Sequence, residues 1–132
     1  MHRVSKLRVA RYVRDCLRRE DVPRVSELAQ REGVTAEHLS RAFRERFNLR
    51  ISDFLKILQV RAAQRLLRDS QLTTTRIAYL CGFGTRRTFF RTYRRITGTS
   101  PVADGTTRRP PAAGPAGPDP SGRPSLRDTR AR

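Results

Sequence analysis

Residues 75–98 read TRIAYLCGFGTRRTFFRTYRRITG, and residues 26–48 read SELAQREGVTAEHLSRAFRERFN. The two stretches follow one pattern. Leu28-Ala29 matches Ile77-Ala78 and Gly33 matches Gly82 at an offset of 49, while Leu39 matches Phe89 and Phe43-Arg44 matches Tyr93-Arg94 at an offset of 50. The second copy therefore has one extra residue in its turn. Each copy reads as a short helix, a tight glycine turn and a longer helix. That is the grammar of the helix-turn-helix, whose second helix enters the major groove of duplex DNA.

The flanking sequence extends the helical reading. Leu7, Ala10, Val13 and Leu17 make an apolar stripe on a helix that Pro23 stops. Ser26 is an N-cap candidate for the short helix holding Leu28 and Ala29, which ends at Gly33. Thr35 caps the next helix, with Leu39, Ala42, Phe43 and Phe47 on one face and Asn48 in its closing turn. Ser52 is read as the cap of a long helix to about Arg68 that buries Leu55, Leu58, Ala62 and Leu66. A short helix from about Thr74 carries Ile77, Ala78 and Cys81 and breaks at Gly82-Phe83-Gly84. Thr85 caps the last helix, with Phe89, Tyr93 and Ile96 inward, and Gly98 ends it before Pro101. Nothing in residues 1–102 alternates with strand period. The expected fold is all-α and homeodomain-like, with two helix-turn-helix subdomains (about 25–48 and 74–98) joined by a linker helix (about 51–68). At 1.5 Å per residue that helix spans about 27 Å, close to the roughly 34 Å between successive major-groove faces.

Composition changes near residue 103. The stretch 103–132 holds six of the eight prolines and, of large apolar residues, only Leu126. Such a segment cannot bury enough surface to offset backbone ordering, so a disordered tail is expected. The chain has 29 basic and 12 acidic residues, for a net charge of +17, and all but Lys6 and Lys56 of the basic ones are arginine. The tail contributes six arginines against three aspartates, so most of the charge sits in residues 1–102. A balance of that sign favours polyanionic partners. No apolar run approaches the roughly 20 residues of a membrane span. The first residues lack a signal-peptide core, and two cysteines cannot build a disulfide framework, so a cytoplasmic protein is expected.

The solvent positions of the two longer helices agree with a phosphate-rich partner. The third helix shows Glu37, His38, Ser40, Arg41, Arg44 and Arg46; the last shows Arg86, Arg87, Thr88, Arg91, Arg94 and Arg95. Arginine grips guanine with two hydrogen bonds or holds a phosphate, and serine and threonine contact either. An ordinary solvated face mixes signs, yet no acid stands between Thr85 and Pro101.

These features resemble the DNA-binding domain of the AraC/XylS family of bacterial transcription regulators. The first unit gives Leu28-Ala29, Gly33-Val34-Thr35, Leu39-Ser40-Arg41 and Phe43-Arg44. The linker adds Phe54-Leu55, Arg61, Ala63 and Leu66-Leu67, and the second unit adds Ile77-Ala78, Cys81-Gly82-Phe83-Gly84, Phe89, Arg91, Tyr93-Arg94 and Gly98-Thr99-Ser100-Pro101. The wording CGFG is similar to a subgroup whose longer members carry an amidotransferase-like sensory domain. The resemblance implies seven helices and promoter activation through contact with DNA and RNA polymerase. It implies base reading by Glu37, Ser40 and Arg41 in the first unit and by Arg86, Arg87, Thr88 and Arg91 in the second. Phosphate contacts fall to Ser26, Thr35, Arg44, Thr85, Arg94 and Arg95. Three departures from the family pattern stand out. Thr74 replaces a usual apolar residue and Arg76 a frequent Glu, both expected to loosen the second unit. Val102-Ala103-Asp104-Gly105 leads into the tail where a short final helix is usual, so that helix is not expected.

No acid–base constellation, metal-ligand spacing or phosphate loop is present, so neither enzyme, metal nor cofactor is expected. Gly82-x-Gly84 follows a helix rather than a strand, which removes the dinucleotide-binding reading. Cys81 reads as a small core residue. The expected partner is double-stranded DNA, with RNA polymerase as a second contact, no membrane, and a monomeric state. The alternative is a non-specific nucleic-acid binder, or a truncated fragment of a larger regulator lacking its sensory domain. Stacking aromatics would favour the non-specific binder, and Phe90 is the main one the core does not claim.

Overall fold

Helices account for all the regular structure in residues 4–108, the part described by the computed structural model. Their order is α1 (Lys6–Arg18), α2 (Val25–Glu32), α3 (Ala36–Phe47), α4 (Ile51–Asp69), α5 (Thr74–Leu80), α6 (Arg86–Thr97) and α7 (Pro101–Arg108). The described residues fall into two units by their contacts, one up to Pro101 and one from Val102 on. The expected tail, 103–132, is corrected at its start. Residues to Arg108 are helical. Pro101 presets the first helical φ, and Asp104 in the first turn favours the helix dipole. The rest of that expectation, 109–132, lies outside the described residues.

Within the first unit, α4 is the shared beam. Its N-terminal half gives Ile51, Phe54 and Leu55 to a core with Val9, Tyr12, Val13, Cys16, Leu28, Ala29, Leu39 and Phe43. Its C-terminal half gives Val60, Ala63 and Leu67 to a second core with Ile77, Ala78, Cys81, Phe83, Phe89 and Tyr93. The ring of Phe43 packs on Phe47 and Phe54 at 4.7 and 5.5 Å. Phe89 sits among Phe83, Phe90 and Tyr93 at 5.0, 5.8 and 5.6 Å. Each core belongs to one helix-turn-helix.

The element types agree with the sequence reading, but two faces and two caps do not. On α1 the buried line is Val9, Tyr12, Val13 and Cys16, whereas Leu7 is 63% exposed. Two apolar stripes overlap on this helix, and the one carrying the large Tyr12 faces the core. On α4 the buried face is rotated from Leu58, Ala62 and Leu66, which are only partly buried, toward Gln59, Ala63 and Leu67. This helix starts at Ile51 with Arg50 as its cap, not at Ser52. Ile51, 2% exposed, must be helical to share a face with Phe54 and Leu55.

Ser26 likewise lies in the first turn of α2 rather than at its cap, which is Arg24. The cap is served from a neighbouring helix. The Tyr12 hydroxyl accepts from the Arg24 N–H at 2.9 Å and donates to Glu27 Oε1 at 2.6 Å. Burial raises the phenol well above its ordinary pKa, so this clasp stays protonated.

Gln59 carries no signal in the sequence. It is 1% exposed, and its Nε2 donates to the carbonyls of Cys81 at 3.0 Å and Gly82 at 2.9 Å. The linker helix thereby holds the turn of the second unit. Gln59→Leu keeps the volume and leaves two buried carbonyls without that donor, so it is expected to lower stability by about 1–3 kcal/mol. Urea unfolding checks this; an unchanged midpoint would overturn it.

Candidate nucleic-acid interface

The two turns place their recognition helices by the same local chemistry. Thr35 caps α3 by accepting from the His38 N–H at 3.0 Å, and Thr85 caps α6 by accepting from the Thr88 N–H at 3.0 Å. Gly33 closes α2 in the left-handed region at φ 73°, and Gly98 closes α6 at φ 83°. Asn48 does the same for α3 at φ 52°. Both recognition helices are 12 residues long.

Helical geometry, roughly 100° per residue, sorts the side chains. On α3, Leu39 and Phe43 point into the core, and Glu37, Arg41, Arg44 and Glu45 form the exposed outward line. Ser40 sits half-buried on the flank. On α6, Phe89, Thr92 and Tyr93 are buried and Arg87, Arg91, Arg94 and Arg95 form the outward line. The lines correspond at the offset of 50 found in the sequence, so Arg41 and Arg91 stand at equivalent places. Glu37 also lies in the first turn of α3, where its charge favours the helix dipole. Thr88 is half-buried, and its hydroxyl accepts from that of Thr85 at 3.0 Å. Ser26 is exposed near the start of α2.

Arg86 stands apart from the outward line. Its guanidinium lies over the Phe90 ring, 4.2 Å from the centroid, and its Nε is 3.5 Å from Thr74 Oγ1. Partial burial lowers its pKa from the ordinary value. Phe90 itself is half-buried against Phe89. The aromatic that the sequence leaves free for base stacking is thus covered.

Neither unusual residue of α5 stands loose. Thr74 accepts from Arg86, while Arg76 pairs with Glu20 at 3.6 Å and donates its N–H to the capping Thr73. A cleft of about 450 Å³ continues the α3 surface onto the first turn of α4, lined by Ser40, Arg41, Arg44, Glu45, Arg50, Ile51 and Ser52. Sequence reasoning misses Arg50 and Ser52 as surface candidates, because a serine at that place reads as a cap.

Both thiols are buried, Cys16 at 0% and Cys81 at 1% exposure. Burial raises both, that of Cys81 to about 12. Among the described residues no group of three or more His, Cys, Asp or Glu is placed to hold a metal ion. Nor, among them, is any helix long and apolar enough to cross a membrane.

Two helix-turn-helix units on one linker define a DNA-binding domain. Residues 28–104 match the family described as a helix-turn-helix domain. The chain belongs to the AraC-type family of DNA-binding domains. It is 32% identical over 117 residues to the HTH-type transcriptional regulator CdhR of Pseudomonas aeruginosa, covering 86% of this chain and 35% of that protein. With the HTH-type transcriptional regulator Rv1931c of Mycobacterium tuberculosis it shares 35% over 78 residues, 59% of this chain and 30% of the relative. The chain thus spans about a third of the length of these relatives. Its structure is similar to the DNA-binding domain of AdpA solved in complex with a target DNA, with TM-score 0.65, 28% identity and coverage of 75% and 90%. A probable AraC family regulator from Rhodopseudomonas palustris gives TM-score 0.61 and 25% identity, with coverage of 77% and 98%.

Proposed function

We propose that this chain binds duplex DNA sequence-specifically and regulates transcription, with α3 and α6 in neighbouring major-groove segments. The observation that carries this is the pair of equivalent outward faces, Glu37/Arg41/Arg44 and Arg87/Arg91/Arg94. The two helices that carry them are joined by the 19-residue α4, about 28 Å long. Glu37 and Arg41 read bases in one half-site, with Ser40 at the edge of that face. Arg87, Thr88 and Arg91 read the other. Ser26, Thr35, Arg44, Thr85, Arg94 and Arg95 contact phosphates. Activation through RNA polymerase, a monomeric state and a cytoplasmic location complete the proposal. A neighbour of the same fold bound to its target DNA supports the duplex as ligand.

Non-specific coating, the alternative motivated by the charge of +17, needs exposed stacking surfaces. Arg86 covers Phe90, which weighs against it, and leaves Tyr79 on α5, 56% exposed, as the exposed aromatic such a reading would have to use. Selection from a random duplex pool at physiological salt tests the choice. Enrichment of a motif with two parts about 10 base pairs apart is expected. Tight, salt-sensitive binding without any enriched motif would sink the specific reading.

A further inference from the structure

We infer that Arg86 is a phosphate clamp, held ready by Phe90 and Thr74, and not a reader of bases. The inference rests on the DNA-binding reading above. It follows from position, contact and chemistry together.

By the offset that pairs Arg41 with Arg91, Arg86 corresponds to Ala36 and Phe90 to Ser40. Ala36 packs against the first core. This place on a recognition helix is therefore its flank, not its outward line. The Arg86 guanidinium carbon lies over the Phe90 ring, 4.2 Å from its centroid, with Nε 3.5 Å from Thr74 Oγ1. Thr74 opens α5. In a helix-turn-helix the first helix crosses the sugar-phosphate backbone while the second enters the groove. Arg86 is thus tied to the helix nearest the backbone.

The chemistry points the same way. The ring contact holds the guanidinium against Phe90, and the Nε contact restrains its rotation. Both η nitrogens remain without a partner among the described residues. A planar fork with two free amino groups matches a phosphate bidentately, and stacking on an aromatic face reduces the order it must gain on binding. The first unit, with Ala36 and Ser40 at these places, has no counterpart. The clamp therefore belongs to the second unit alone.

The test uses the full chain with Arg86→Ala, Arg86→Lys and Phe90→Leu. Anisotropy titrations measure each on the selected duplex and on a scrambled one, across a salt series. A thermal melt confirms that each variant folds. Arg86→Ala is expected to weaken both duplexes by the same factor, on the order of tenfold, and to reduce the salt slope by about one. Arg86→Lys is expected to keep the slope and lose affinity on both. Phe90→Leu is expected to lose affinity equally on both, by a smaller factor. A loss confined to the selected duplex would make Arg86 a base reader and overturn the clamp. So would unchanged affinity and slope in Arg86→Ala. Wild-type chain binding both duplexes alike would end the site-specific reading and leave the clamp standing, because the clamp is read from sequence-independent affinity. Failure to bind either duplex would end both.

Discussion

Gly82→Ala is expected to destabilise the chain by about 2–6 kcal/mol, combining roughly 1–3 for a left-handed non-glycine residue with about 1–3 for forced overpacking. Gly82 has φ +76°, and a Cβ there would stand 2.9 Å from the Asp21 carbonyl oxygen, 2.9 Å from Pro23 Cδ and 3.1 Å from Leu17 Cδ2. Two of these three neighbours have little freedom to yield, one being backbone and one a ring. The loss is large against the 5–15 kcal/mol that holds a typical domain folded. Gly84 provides the control within the same turn. Its φ is +83°, and a Cβ added there would meet nothing within 4 Å. Gly84→Ala is expected to cost only the backbone part, about 1–3 kcal/mol. Parallel urea unfolding separates the two. Equal losses would show that the close approach to the α1–α2 loop does not matter.

Arg41→Ala and Arg91→Ala are each expected to weaken binding to the preferred duplex by roughly 1–3 kcal/mol and to relax specificity at one position of their own half-site. The two residues hold equivalent places on α3 and α6, so each variant interrogates one head. Being on separate helices with no shared partner, their effects are expected to add within about 0.5 kcal/mol in the double variant. Titration on the selected duplex and on single-base variants of each half checks this. A uniform loss on every sequence would move both residues into the phosphate-contacting set.

Much of the architecture can be read from residues alone. Glycine and threonine carry their own conformational instructions, so Thr35, Thr85, Gly33 and Gly98 mark the ends of α3, α2 and α6. The internal repeat then supplies the pairing of the two units. Faces are harder. On α1 the stripe through Leu7 and the one through Tyr12 satisfy helical spacing equally, and only tertiary packing chooses between them. Ser26 and Ser52 each stand one residue inside a helix start, where a serine is as acceptable as at the cap; Tyr12 from α1 and buried Ile51 decide those boundaries. Gln59 is invisible because a polar residue between apolar neighbours reads as solvent-facing until the carbonyls above it are known. At the interface, Arg87, Arg91 and Arg94 can be placed by periodicity, whereas the turning aside of Arg86 depends on Phe90 and on Thr74, twelve residues upstream.

The division of α4 between two cores bears on how the molecule comes apart. Ile51, Phe54 and Leu55 belong to one end and Val60, Ala63 and Leu67 to the other. Gly82 lodges against the loop after α1, and Gln59 joins the middle of the beam to the far turn. Melting either end strips apolar surface from a helix the other end needs. The two halves are therefore expected to exchange their slowest amide protons with one common opening free energy, as a single foldon rather than two. A molecule with one head ordered and its twin unravelled has no resting place on such a landscape, so a protease that cuts one half from the opened state destroys both.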